Sequence, residues 1–75
     1  MEKEEMLLIK IGNTIKLERM KNGLSQADLA QQSNLHKNFI GMVERGQRGP
    51  TISSLQKICL ALGISLTEFF QSLNL

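Results

Sequence analysis

Two polar residues and a methionine near the middle of the chain have side chains suited to reading the edges of DNA base pairs. Lys37 and Asn38 are adjacent, and Met42 follows about one helical turn later. A lysine can donate to guanine O6 and N7, an asparagine can bridge adenine N6 and N7, and an apolar side chain can meet the thymine methyl group. Because lysine and asparagine are mostly exposed in any protein, an ordinary solvated surface is the alternative interpretation.

A glycine interrupts the same short stretch. Gly41 costs about 1 kcal/mol relative to alanine in a helix interior. A helical wheel places it near the centre of an outward arc, whose other members are Lys37, Asn38, Met42 and Arg45. We hypothesise that the missing side chain lets the backbone approach a groove wall closely. A glycine that is only tolerated there is the alternative.

Helical periodicity, interrupted by glycine and asparagine, predicts that five short helices position these residues. We expect the second helix to begin after Ser25, which forms a capping box with Asp28, and to end near residue 32 or 33. A tight turn follows, in which Asn34 is expected to adopt a positive φ. The first helix is predicted over about 6–20, with an inward stripe of Leu8, Ile11, Ile15 and Arg19.

The remaining boundaries follow from capping and stop residues. The third helix is predicted to start after His36 and to end before Gly46. Thr51 or Ser53 is expected to cap the fourth helix, which Gly63 ends. The fifth is predicted from Ser65, as an N-cap, to the end of the chain.

Size and composition restrict the class of protein. The 75 residues predict one all-α domain without a disulfide, since Cys59 is the single cysteine. We therefore expect a reducing, cytoplasmic location, with no membrane span. The net charge is +2, and residues 6–75 carry +4 because the first five residues hold three acids and one lysine. A basic balance of this kind is typical of proteins that bind polyanions.

Enzyme activity is not expected from this sequence. The single histidine, aspartate and cysteine, His36, Asp28 and Cys59, lie in unrelated segments. They provide neither a pairing of nucleophile and base nor a set of metal ligands. No cofactor, metal or small-molecule effector is indicated.

The stretches LSQADLAQQSNL and IGMVERGQRGPTISSLQKICLALGIS resemble the Xre/Cro-type helix-turn-helix family of bacterial and phage regulators. The resemblance covers about 11–70, with the DNA-binding motif at about 26–45. It implies a compact five-helix, lambda-repressor-like domain that binds double-stranded DNA as a homodimer on a palindromic operator. The stretch NLHKNFIGMVERGQR favours the controller proteins of restriction–modification systems, although other phage and plasmid regulators share much of it. RNA polymerase would be a further partner if the protein activates transcription.

The resemblance implies roles for individual residues. Lys37, Asn38 and Met42 occupy base-reading positions, together with the neighbouring Gly41. Arg19 and Glu44 resemble the structural ion pair of the family. Residues expected to contact phosphates are Ser25, Gln26, Phe39, Arg45, Gln47 and Arg48. For Phe39, inward packing is the alternative. Glycine and methionine at 41 and 42 replace polar residues common in the family, so the operator sequence stays open.

The C-terminal segment 65–75 is expected to contribute to dimerisation. Leu66, Phe70 and Leu73 recur at spacings that place them on one helix face. We expect Phe70 and Leu73 to lie at a two-fold interface; packing of the whole stripe into the core of one subunit is the alternative. A further alternative for the whole domain is a protein-interaction module, such as an antitoxin or adaptor.

Overall fold

The computed structural model describes residues 2–75 and contains, within them, five α-helices and no strand. The helices are α1 (Glu2–Lys21), α2 (Gln26–Ser33), α3 (Lys37–Glu44), α4 (Ile52–Leu62) and α5 (Leu66–Leu73). The all-α, five-helix prediction is confirmed.

Two helix boundaries differ from the prediction. The first helix begins at Glu2, four residues before the predicted start. Acidic side chains in a first turn interact favourably with the helix dipole, and glutamate and lysine are good helix formers. The last helix ends at Leu73, because Asn74 adopts the left-handed conformation with φ 53° and stops it.

Side-chain caps fix the starts of the shorter helices. The Ser25 hydroxyl accepts from the Asp28 backbone N–H at 3.0 Å, and the Asp28 carboxylate accepts from the Ser25 N–H at 2.9 Å. Thr51, rather than Ser53, caps α4. The turn after α2 has the predicted positive φ, 57° at Asn34. These local signals explain why the boundaries of α2 to α4 follow the predicted ones.

The core forms where all five helices meet. Its largest fully buried side chains are those of Phe69, Ile15, Leu29, Ile40 and Ile58. Each helix therefore places at least one fully buried apolar side chain in a single cluster. This shared core holds α2 and α3 in a fixed relation to the rest of the domain.

Part of the dimer surface predicted on the C-terminal helix is wrong, because Leu73 is buried. Leu73 is buried in the core with 4% of its surface exposed, and the half-buried Leu66 packs against the same cluster. The inward face of α5 combines them with Phe69 at spacings of three and four residues, so Leu73 is not available to a partner. Phe70 is displaced from that face and is 42% exposed.

A close crossing of α1 and α3 occurs at Gly12, a feature missing from the sequence prediction. Gly12 is buried. A Cβ built on it would overlap the carbonyl oxygen of Val43 and lie 2.7 Å from that of Glu44. Glycine is therefore required for α1 to pack directly on the backbone of α3.

Acidification is expected to destabilise the fold through two capping boxes. Hydrogen bonds from the Ser25 backbone and then its hydroxyl lower the pKa of Asp28 below 3.8, and Ser65 lowers the pKa of Glu68 below 4.5 in the same way. Because the unfolded chain binds protons more readily at these groups, their contribution is present above about pH 4.5 and is lost as the pH falls through the lowered values.

Urea unfolding at pH 6 and pH 3 checks this prediction. The double variant Asp28→Asn and Glu68→Gln lacks both titrating carboxyl groups and is the matched control. We expect its free energy of unfolding to change less between the two pH values than that of the original chain. Equal changes would show that the two carboxylates do not contribute to acid sensitivity.

Candidate nucleic-acid interface

A shallow depression of about 330 Å³ lies on the outer side of α3, beside the start of α2. Its lining combines polar, cationic and apolar groups: Gln26, Lys37, Asn38, Gly41, Met42 and Arg45. The structure thus brings together the four expected base-reading residues and two of the expected phosphate contacts. Lys37 and Asn38 are exposed and Met42 is half-buried.

The start of α3 is fixed by a histidine cap. Nδ1 of His36 accepts a hydrogen bond from the backbone N–H of Asn38 at 3.1 Å. This bond satisfies one of the free amides of the first turn. Ile40 and Val43, fully buried on the opposite side, fix the rotation of the helix. Together they hold Lys37 and Asn38 on the outer surface.

Gly41 is less accessible than the helical wheel indicates. It lines the depression but is buried. The atoms nearest to the place where its Cβ would stand are Nη1 of Arg45, at 3.0 Å, and Oε1 of Gln26, at 3.6 Å. The side chains of neighbouring polar residues therefore fill the space above this glycine, and its backbone does not form the outermost surface.

A charged network joins α1, α2 and α3 beneath the depression. Arg19 Nε lies 2.6 Å from Glu44 Oε2, and Arg19 Nη2 donates to Glu44 Oε1 at 3.0 Å. The Arg19 and Glu44 side chains are 12% and 2% exposed. The hydrogen bond to Glu44 raises the pKa of Arg19, against the opposing effect of burial. The pair is a bidentate, charge-assisted link between α1 and α3.

Gln26 extends this network to the surface. Its Nε2 donates to Glu44 Oε1 at 3.0 Å, so one carboxylate oxygen receives both Arg19 and Gln26. Arg19 Nη1 also donates to the Leu24 carbonyl at 2.8 Å. The first residue of α2 is thereby held against α3 by a side chain. The connection of Gln26 to the ion pair was not predicted, since no local sequence pattern joins residues 18 positions apart.

The other expected phosphate contacts lie after α3, at the cap of α2 and, for Phe39, within α3 itself. Arg45 Nε donates to Gln47 Oε1 at 3.1 Å. The Arg48 guanidinium lies 5.7 Å from the centre of the Phe39 ring, a cation–π distance. Phe39 is half-buried and packs against the core, as the inward alternative expects. The Ser25 hydroxyl is part of the α2 cap.

Residues 2–75 contain neither a membrane-spanning helix nor a metal-binding cluster. No helix of this part of the chain has the length and apolarity to cross a lipid bilayer. The same residues contain no group of three acidic, histidine or cysteine side chains that could hold a metal ion.

Sequence comparisons with known proteins place the chain among helix-turn-helix proteins. The family model described as HTH_3, helix-turn-helix, matches residues 15–69. The control protein C.MunI of Mycoplasma sp is 36% identical over 67 residues, which cover 88% of this chain and 90% of that protein.

Solved structures agree as well. The controller protein C.Esp1396I, as a tetramer in complex with its natural 35 base-pair operator, has a TM-score of 0.84 at 41% identity, covering 91% of this chain and 90% of that one. C.AhdI from Aeromonas hydrophila has a TM-score of 0.81 at 40% identity, over 84% of this chain and 96% of that chain. The expected Xre/Cro-type resemblance is confirmed, and the chain belongs to the HTH_3 helix-turn-helix family.

Proposed function

We propose that this protein is a sequence-specific, double-stranded DNA-binding regulator, which inserts the start of α3 into the major groove. The observation that carries the proposal is the depression at α3, where exposed Lys37 and Asn38 stand beside Met42. Donors, an acceptor and an apolar group within six consecutive residues match the pattern that base pairs present in the major groove. The operator complex of C.Esp1396I, a protein of the same fold, supports this role.

Contacts to phosphates would surround the base-reading residues. Arg45, Gln47 and Arg48 are exposed immediately after α3, and Ser25 is exposed at the start of α2. Stacking on Phe39 restricts the orientation of the Arg48 guanidinium. Such contacts position the protein on the duplex and supply affinity that depends on salt but little on sequence.

Alanine substitutions separate these two kinds of contact. We expect Lys37→Ala and Asn38→Ala to change which bases are selected from a random duplex pool. Discrimination against the wrong base at the contacted base pair should fall by about 5- to 150-fold, because each good contact contributes about 1–3 kcal/mol. Arg48→Ala is the matched cationic control. It is expected to weaken binding to all sequences similarly and to reduce the salt dependence by about one phosphate equivalent.

The same experiment tests the alternative of a protein-interaction module. A module of that kind would select no duplex sequence, and its binding would lack the steep salt dependence of phosphate contacts. If the original chain selects a sequence but Lys37→Ala and Asn38→Ala retain the same base preference, the assignment of α3 to the groove is wrong.

We further propose that the protein acts as a homodimer. Two or three base contacts in one subunit provide limited discrimination, and a two-fold partner doubles them. Such a dimer would place two α3 helices about 34–36 Å apart, one turn of DNA. Phe70, exposed on α5, is the remaining candidate for its interface.

Phe70→Glu is expected to convert the dimer to monomers in analytical ultracentrifugation and to weaken operator binding. A charge on an apolar interface would be buried without a partner, which opposes association. Thr67→Glu, at another exposed position of α5, is the control for added charge. A Phe70→Glu chain that still sediments as a dimer would place the interface elsewhere, for example at the exposed Ile52 or Leu60 of α4.

The similarity to control proteins supports a narrower proposal: regulation of a restriction–modification system. Genes for a nuclease and a methyltransferase next to the coding sequence would support it. Reporter transcription from the upstream region, with and without the protein, would give the sign of regulation.

A further inference from the structure

The orientation of the Gln26 amide is fixed by the ion pair beneath it. The carboxylate of Glu44 is bound to Arg19 on both oxygens and can only accept hydrogen bonds. Gln26 must therefore turn its NH₂ group toward Glu44, to which Nε2 donates at 3.0 Å. Its carbonyl oxygen must point the other way.

The opposite side of the amide faces the depression. Oε1 of Gln26 lies 3.6 Å from the place where a Gly41 Cβ would stand, and Gln26 lines the depression with Lys37 and Asn38. Within residues 2–75, Oε1 of Gln26 accepts no hydrogen bond. Every buried side-chain oxygen of these residues has a partner, so an oxygen without one must be exposed to solvent. Oε1 is thus an accessible, unpaired acceptor beside the base-reading residues.

An acceptor in this position has a restricted set of partners on DNA. Phosphate oxygens are themselves acceptors and cannot bond to it. In the major groove, the donors are the exocyclic amino groups, N6 of adenine and N4 of cytosine. Glycine at position 41 places no side chain of its own beside this oxygen, and the nearby Arg45 guanidinium is the end of a flexible side chain.

We infer that Gln26 is a base-reading residue whose carbonyl accepts a hydrogen bond from the exocyclic amino group of an adenine or a cytosine. The Arg19–Glu44 pair sets the polarity of the amide and so makes the position selective for amino groups over carbonyl groups. The inference rests on the proposed function, and it assigns Gln26 a role different from the phosphate contact that the family resemblance implies.

The experiment compares the original chain with Gln26→Met, which has a similar length and no hydrogen-bonding amide. Both are used to select duplexes from a random pool. We expect the original chain to select adenine or cytosine at one base pair in each half-site, where Gln26→Met has lost that preference. Gln31→Met, at an exposed position of the same helix, is the matched control and should keep it.

A second measurement uses a duplex in which the selected base lacks its exocyclic amino group. This change should weaken binding of the original chain about 2- to 12-fold, the range of one net hydrogen bond. It should have no further effect on Gln26→Met. The comparison of duplexes with and without the amino group needs only the original chain. It therefore tests the inference even if Gln26→Met folds poorly.

Two results would overturn the inference. One is equal affinity of the original chain for duplexes with and without each exocyclic amino group in the half-site. The other is uniform weakening of Gln26→Met on all sequences with a smaller salt dependence, which identifies a phosphate contact. If Lys37→Ala still changes base preference in the same assay, only the role of Gln26 fails. Absence of any sequence preference in the original chain would instead refute the proposed function.

Discussion

Gly12→Ala is expected to lower the free energy of unfolding by about 3 kcal/mol, at the upper end of the range for overpacking. The added Cβ would meet the backbone of α3 at the Val43 and Glu44 carbonyls. Backbone atoms cannot rotate aside as a side chain can, so α1 and α3 would have to separate. A domain of this length has about 4 to 11 kcal/mol of stability in total, so the loss is a large fraction of it.

Urea unfolding measures this effect, and two alanine variants serve as controls. Asn13→Ala changes the next, exposed residue of α1 and should alter stability by no more than about 0.5 kcal/mol. Gly41→Ala changes the other helical glycine. There the new Cβ would meet the end of the flexible Arg45 side chain, so the better helix propensity of alanine should stabilise the free protein by up to about 1 kcal/mol.

The contrast between these glycines separates two reasons for the same residue type. If Gly12→Ala is tolerated as well as Gly41→Ala, the close crossing of α1 and α3 does not require glycine. If Gly41→Ala stabilises the free protein but weakens DNA binding, space above α3 is needed by the duplex. That combination would support the hypothesis of close approach despite the burial of Gly41.

The sequence predicts the fold well because its boundaries are set by local interactions. The capping boxes of Ser25 and Ser65 and the left-handed Asn34 each involve residues within a few positions of one another. Hydrophobic periodicity then predicts the inward faces, such as Ile40 and Val43 on α3. These signals depend on one helix at a time and can be read without knowledge of packing.

Features that depend on two helices were predicted less well. The requirement for Gly12 arises from the backbone of α3, and the bond of Gln26 to Glu44 joins residues distant in sequence. Leu73 was expected at a dimer surface because its spacing from Phe70 fits one face. The face of α5 that packs into the core is instead centred on Phe69. This face is rotated slightly around the helix axis from the one that was predicted. Only the packed structure distinguishes these neighbouring faces.

Arg19→Met is expected to destabilise the domain by about 3–5 kcal/mol, the cost of leaving one member of a buried ion pair without its partner. The Glu44 side chain is 2% exposed and would keep a hydrogen bond from Gln26 as its remaining side-chain partner. Arg19 also donates to the Leu24 carbonyl, so its loss further weakens the connection of α1 to the start of α2. The free energy of unfolding in urea, at neutral pH, measures the effect.

Comparison of the single replacement with a double replacement tests whether the cost arises from the unpaired charge. Replacing both members, as Arg19→Met with Glu44→Met, removes the charge together with its partner and should restore much of the stability, since apolar replacements of buried pairs are often neutral or better. Lys21→Met is the matched control, because the Lys21–Glu18 pair involves a lysine side chain that is 72% exposed and should contribute less than about 1 kcal/mol. Equal destabilisation by the single and double replacements would contradict the argument, because the loss would then come from packing of the Arg19 side chain.

The DNA-binding assay gives an independent result for the double variant. Without Glu44 the polarity of the Gln26 amide is no longer fixed, so the double variant should fold but discriminate less sharply at the base pair that Gln26 reads.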